Sequence, residues 1–305
     1  MSGAGSYQKR RLRVSVTLGR YVNQNGTVTP AFVESGKDTV IFDGLRASAV
    51  INRPGGDFMT ALHLRVFGMP ESLMNQISTL GALPMAGRNN TVIVEAGDDA
   101  AGMSVAFTGT IINAWANMND EPQVSFEIIA HTGGYDAVNT APVTSYNGSV
   151  AAATVIEGIA KAMVRAFLNQ GVNATLVNPY YPGTLIDQLH ACAREAGIFF
   201  EDDGKLITIW PRDGYAAKDD ALIVSKATGL IGYPAFTANG IIARCLYRPE
   251  MRLGSKVSVV SSLTPASGQF RIFSISHVLE AEIPDGQWFT TFAASRPEYA
   301  PVATR

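Results

Sequence analysis

Cysteine occurs only twice in the 305 residues, at Cys192 and Cys245, so no disulfide framework can staple this chain. Cys192 falls on the apolar side of a predicted helix and Cys245 in an apolar run. Both read as buried, reduced thiols of a protein that assembles in a reducing compartment. Charge is scarce as well: Asp, Glu, Lys and Arg make up 16% of the chain, with a net charge of -2, against roughly 25% for an ordinary soluble domain. A surface so poor in charge implies large contacts buried against partners, and a net acidic chain offers no broad basic face for nucleic acid. No run of about 18 apolar residues is available to span a bilayer. The basic group Lys9, Arg10, Arg11 and Arg13 is followed by alternating apolar and polar residues over 14–18 and then by Asn23, Gln24 and Asn25. That pattern is a strand, with the basic group as its solvated end, and not an export signal. The Asn-X-Ser/Thr triplets at Asn25, Asn89, Asn147 and Asn173 then carry no glycosylation meaning.

Site chemistry is equally thin. His63, His131, His190 and His277 lie in separate predicted elements, none with a second ligand at metal spacing. His190 and Cys192, two apart on a helix, point to different faces. The glycines at 3–5 and 229–232 lack the strand-to-helix setting and the lysine of a phosphate loop and read as turns. No Gly-X-Ser-X-Gly elbow occurs. The adjacent carboxylates Glu201, Asp202, Asp203 and Asp98, Asp99 sit in predicted turns, which Asp itself stabilises. No catalytic, cofactor-binding or metal-binding residue is expected.

What the chain does carry is one stretch, 149–211, whose pattern runs helix, helix, hairpin. Ser149 is placed as an N-cap, and Val155, Ile156, Ile159, Ala160, Met163, Phe167 and Leu168 recur at three- and four-residue spacing, which predicts a helix over 150–170 stopped by Gly171. A second helix is predicted from Thr184, with Asp187 completing a capping pattern, Leu185, Ile186, Leu189, Cys192 and Ala193 facing inward, and Gly197 as the stop. Residues 198–201 and 206–210 then predict a hairpin about Asp202, Asp203 and Gly204, closed by Pro211.

Everything on either side reads as strands. Before this stretch they are predicted over 12–21, 39–52, 62–67, 91–96, 103–118 and 124–130, with one short helix after Pro70 carrying Leu73, Met74 and Ile77 and ending near Gly81. After it they are predicted over 222–226, 240–247, 256–262, 269–277 and 288–294, punctuated by Gly and Pro. The expected organisation is mainly β with an α+β middle unit: a first β-barrel over 1–135, an α+β insertion over 136–220, and a second β-barrel over 221–305.

The order Gly229-Leu230-Ile231-Gly232-Tyr233-Pro234, strand, Arg248-Pro249-Glu250-Met251, and three further strands, after a two-helix and hairpin unit, resembles the baseplate hub proteins of tailed bacteriophages. The resemblance implies two tail-tube-like barrels per chain and a homotrimeric ring that adapts the sixfold tail tube to the threefold central spike. The implied partners are the tail tube protein, the central spike protein and other baseplate proteins, with genome and tape-measure protein passing through the channel. It implies no enzyme activity, cofactor or membrane binding, and a virion part assembled in the host bacterial cytoplasm. Lys9, Arg10, Arg11 and Arg13 would then lie at a subunit contact or a ring face. The alternatives are the hub of a bacterial tailocin or contractile injection system, which shares the fold, and a cell-wall-degrading tail-associated hydrolase.

Overall fold

The computed structural model describes residues 9–23, 26–79, 89–119, 121–216 and 220–296. The chain divides into two compact units: one holds the chain up to Ile51, Leu62–His131 and Val278–Trp288, the other Asn52–Ala61, Thr132–His277 and the chain from Phe289 on.

The first unit is built from β1 (Arg10–Thr17), β2 (Tyr21–Asn23), β3 (Gly26–Val28), β4 (Thr39–Asp43), β5 (Ala47–Arg53), β6 (Ala61–Phe67), the helix Glu71–Ile77, β7 (Thr91–Asp98), β8 (Gly102–Asn117) and β9 (Ser125–His131). Its main sheet runs β4-β1-β7-β8-β9-β6-β5. Period-two alternation sets the register: Leu12, Val14 and Val16 on β1 lie opposite Ala96, Val94 and Val92 on β7, and all six are buried. Leu62, Leu64 and Val66 do the same on β6, and the helix buries Leu73, Met74 and Ile77. Two irregularities, at Val94/Glu95 and Ile111/Asn113, let the long β8 bend while staying paired. The stretch 39–52, expected as one strand, is two, because the chain turns at Gly44 with φ 78. Gly81, where the short helix was expected to end, lies outside the described residues; the helix itself ends at Ser78.

The second unit contains the helix Gly134–Val138, β10 (Thr144–Ser145), β11 (Ser149–Ala151), the helix Ala152–Ala162, β12 (Ala166–Asn169), β13 (Thr175–Val177), β14 (Tyr180–Tyr181), the helix Leu185–Ala196, β15 (Ile198–Asp202) and β16 (Leu206–Pro211). It continues with β17 (Leu222–Ser225), β18 (Leu230–Thr237), β19 (Gly240–Leu246), β20 (Lys256–Val260), β21 (Gly268–Ala281) and β22 (Trp288–Ser295). The helix Leu185–Ala196 begins and ends on the expected chemistry. Thr184 Oγ1 accepts from the Asp187 amide at 3.1 Å, the Thr184 amide donates to Asp187 Oδ2 at 3.2 Å, and Gly197 closes the helix at φ 64.

The other helix departs from its predicted span. Ser149 is in β11 and not a cap, and the helix ends at Ala162, after which Val164 adopts φ 58 and the chain runs back as β12, parallel to β16. Phe167 and Leu168 continue the helical spacing by coincidence; they belong to a strand because the hairpin offers its edge there. Ala152, Val155, Ile156, Ile159, Ala160 and Met163 do pack inward, against Leu189, Cys192, Ala193, Ile207 and Ile209.

A second core gathers Trp210, Val224, Ile241, Cys245, Met251, Val257, Phe270, Ile272, Ile275 and Phe292. Its strands run β18-β19-β22-β21, with β20 on β21 and β17 parallel to β20. The chain is thus mainly β with an α+β segment, as expected, but no closed barrel is seen among the described residues: β4 and β18 each stand at the end of their strand order.

Candidate functional site

The N-terminal cations lie along β1 and are met by carboxylates from three other stretches of the first unit. Lys9 Nζ is 2.6 Å from Glu282 Oε1, and Arg11 reaches Asp43 at 3.0 Å and Asp99 at 3.1 Å. Arg13 reaches Asp43 at 3.0 Å and Glu95 at 3.6 Å, while Arg10 donates to the Gly286 carbonyl at 3.2 Å and lies over the Trp288 ring. Burial pushes the Asp43 carboxyl up, but the bonds from Arg11 and Arg13 outweigh it and hold the group below the usual carboxylate range. Four cations facing four carboxylates make a neutral, salt-sensitive strip, ill suited to holding phosphates.

On β6 and β9 the buried Glu127 receives His63 Nε2 and Arg65 Nε, both at 2.7 Å. Burial raises its carboxyl, and these two partners more than offset that, leaving it below its ordinary value.

A further charge cluster is in the second unit, around the β15–β16 hairpin. Glu201 is buried and lies 3.4 Å from Arg53; Arg165 binds Asp202 at 3.3 Å and Asp136 at 3.1 Å; Arg252 binds Asp203 at 2.6 Å. Burial pushes the carboxyls of Glu201, Asp202 and Asp136 up, partly opposed by their arginines. Asp203 is also pushed up by burial, but Arg252 and the amides of Lys205 and Leu206 bring it below its usual value. Beside the hairpin a small open cleft is lined by Gly55, Gly56, Phe58, Thr132, Ile186, His190, Asp202 and neighbours. His190 stacks edge-on against Phe200 and meets Asp57 at 3.1 Å.

These carboxylates were expected as turn residues only. Asp203 does cap the turn, accepting from Lys205 and Leu206, whereas Glu201 and Asp202 stand in β15 as buried ion-pair members. Among the described residues no three of His, Cys, Asp and Glu are grouped to hold a metal ion. Burial pushes the Cys192 thiol up to about 12 and the Cys245 thiol up to about 11, so both stay protonated and unreactive.

Apolar surface completes the picture. On the edge strand β18, Ile231, Tyr233 and Phe236 are exposed, and Ile242 and Leu246 are exposed on the adjacent β19. Among the described residues β18 ends the strand order, and apolar surface on such an edge is suited to a protein partner. The expected turn at 229–232 hid this strand from sequence reading: Gly229 does turn, at φ 100, but Gly232 and Pro234 sit inside β18, which tolerates them as an irregular edge.

The fold has relatives among solved structures. The 43 kDa tail protein of prophage MuSo2 from Shewanella oneidensis superposes with TM-score 0.60 at 11% identity, over 94% of this chain and 98% of that one. The tail protein from Neisseria meningitidis MC58 gives 0.56 at 10% identity, over 94% and 99%. The E. coli c3393 protein, a type VI secretion component described as similar to the T4 bacteriophage tail proteins gp27 and gp5, gives 0.55 at 12% identity, over 82% and 73%. At these identities the likeness is one of fold. No curated protein sequence matches the chain. The family described as baseplate hub gp41 matches residues 38–291, which is most of the sequence, and the chain therefore belongs to that family of bacteriophage tail proteins.

Proposed function

We propose that this protein is the structural hub subunit of a phage baseplate, forming a homotrimeric ring that adapts the sixfold tail tube to a threefold central spike. The observation that carries the reading is the family match over residues 38–291. The exposed apolar edge on β18 and β19 supports it, since a partner would cover that face. In this proposal the strands of 1–135 and 221–305 act as two tail-tube-like barrels around the 136–220 insertion. The ring meets the tube protein on one side and the spike on the other, and genome and tape-measure protein pass through its channel. The particle part is assembled in the host bacterial cytoplasm. Lys9, Arg10, Arg11 and Arg13 lie at a subunit contact or ring face and not in the bore, where unmatched cations would retain DNA; Lys9, Arg11 and Arg13 are already matched by carboxylates, and Arg10 donates to the Gly286 carbonyl.

A second reading, the hub of a contractile injection system, draws on the fold shared with the E. coli type VI secretion component. Both readings are structural, and neither includes catalysis. Native mass measurement of the chain with tail tube and spike proteins tests them against a hydrolase: threefold complexes without peptidoglycan cleavage are expected. A stable monomer that never joins a threefold complex, or one that cleaves peptidoglycan, would overturn the proposal.

A further inference from the structure

The α+β segment carries a surface without charge. Between Asp136 and Glu157, and again between Arg165 and Asp187, the sequence contains no Asp, Glu, Lys, Arg or His. The fold pairs these two runs with each other: Thr140 bridges to Thr184, β10 pairs with β14, and β11 pairs with β13. They form one antiparallel ribbon with no charged side chain of its own.

The register decides which side chains the ribbon shows. Ser145 lies opposite Tyr180, Ser149 opposite Val177 and Ala151 opposite Thr175, and all six are exposed, whereas Val150, Leu176 and Tyr181 pack on the core beneath. Tyr180 and Val177 are each 65% exposed, and Val143 and Tyr146 are exposed on the same run. Three bonds pin this face: the Gly148 amide donates to Asn178 Oδ1 at 2.7 Å, the Asn178 amide to the Gly148 carbonyl at 2.8 Å, and the Tyr146 amide to the Pro179 carbonyl at 3.1 Å. Aromatic and apolar side chains without charge are the composition of an interface core. A charged surface docked there would lose its hydration and find no counter-charge, so the occupant must itself be uncharged.

A second surface of the same unit has that character. From Gly229 to Ala243 the sequence is again free of charge, and β18 and β19 expose Ile231, Tyr233, Phe236, Ile242 and Leu246. The cation among them, Arg244, lies over the Phe289 ring at 4.1 Å. A ring closed by rotation joins its copies head to tail, through two different patches on each copy. We propose that the ribbon of one copy packs on the β18–β19 surface of the next, and that this contact closes the homotrimer. The inference rests on the homotrimeric hub reading and names the surfaces by which its copies meet.

Native mass measurement of the full chain, alone and with tail tube and spike proteins, tests it at two exposed positions. Tyr180→Glu on the ribbon and Phe236→Lys on β18 should each keep the wild-type circular dichroism spectrum and cooperative melting, since both side chains face solvent in the single chain. Each should weaken the trimer by about tenfold or more. The double variant should recover the trimer at low salt, because a head-to-tail contact brings the new acid to the new lysine, whereas a ribbon-to-ribbon contact would oppose acid to acid. Val33→Glu, at a position 86% exposed and outside both surfaces, should leave the trimer unchanged. Single variants that assemble as the wild type does, or a double variant no better than either single, would overturn this contact and leave the hub reading standing. A wild-type chain that never joins a threefold complex would overturn both.

Discussion

Ile159 is the most exacting test of the α+β segment. It is 1% exposed on the helix Ala152–Ala162, in a core shared with Leu189 and Cys192 of the helix Leu185–Ala196 and with Ile207 and Ile209 of β16. Ile159→Ala deletes methylenes from a close-packed site and is expected to cost about 2–5 kcal/mol. Ile159→Asp loses the same contacts and adds a carboxyl with no cation among the residues of that core. Keeping it neutral at pH 7 means raising its pKa by roughly three units, about 4 kcal/mol more. The total, about 6–9 kcal/mol, rivals the whole stability of an ordinary domain, about 5–15 kcal/mol.

The aspartate variant should therefore fail to fold cooperatively at neutral pH, while the alanine variant melts cooperatively at a lower temperature. The pH dependence carries a sign. A folded-state carboxyl with a raised pKa keeps its proton when the unfolded chain has lost it, so the added penalty grows from about pH 4 upward and shrinks on acidification. Circular dichroism melting and urea titration of both variants across that range measure it. A wild-type Tm for Ile159→Asp, or a penalty no larger than that of the alanine variant at pH 7, would refute the packing argument.

Val164 holds φ 58 and is 88% exposed, a β-branched residue in the left-handed region with no packing to repay the strain, so Val164→Gly should stabilise the chain by about 1 kcal/mol in urea titration. Thr184→Ala and Asp187→Ala each remove half of one capping box, and each should cost about 1 kcal/mol, with the double variant costing less than the sum in a double-mutant cycle. Burial, aided by Arg53, holds the His277 imidazole down at about 3, so the unfolded chain takes up a proton near pH 6.5 that the folded chain refuses. Wild-type stability should then carry a loss as pH drops from 6.5 toward 3 that His277→Gln removes, read as the difference between the Tm profiles of wild type and variant, since the raised carboxyls of Glu201, Asp202 and Asp136 act with the opposite sign in both.

Where local chemistry alone decides an element, the sequence was readable. The helix Leu185–Ala196 starts on Thr184 and Asp187 and stops on Gly197, three residues whose roles need no information from elsewhere in the chain. The Asp203-Gly204 hairpin is of the same kind. The helix Ala152–Ala162 was readable only in its middle, because periodicity has no way to register that β16 offers a parallel edge to Ala166–Asn169 some forty positions upstream of it in sequence. β18 was missed because Gly232 and Pro234, turn residues by propensity, are tolerated on an edge, and edge position is a property of the sheet and not of the segment.

The charges show the same limit from the other side. Four cations at positions 9–13 were visible as a cluster, but the carboxylates that neutralise them come from Asp43, Glu95, Asp99 and Glu282. Glu201 and Asp202 looked like turn acids because their arginines stand at positions 53 and 165. A composition only 16% charged suggested surfaces meant for partners. The structure sharpens that inference, since many of the few charges are already spoken for by ion pairs within a unit. What they leave for a partner to recognise is the largely apolar surface of β18 and β19, where Ile231, Tyr233, Phe236, Ile242 and Leu246 meet solvent around the single cation Arg244, on a strand that ends the sheet order among the described residues. Association through such a face depends on apolar burial and backbone pairing, so it should be far less sensitive to salt than contacts made through the β1 cations.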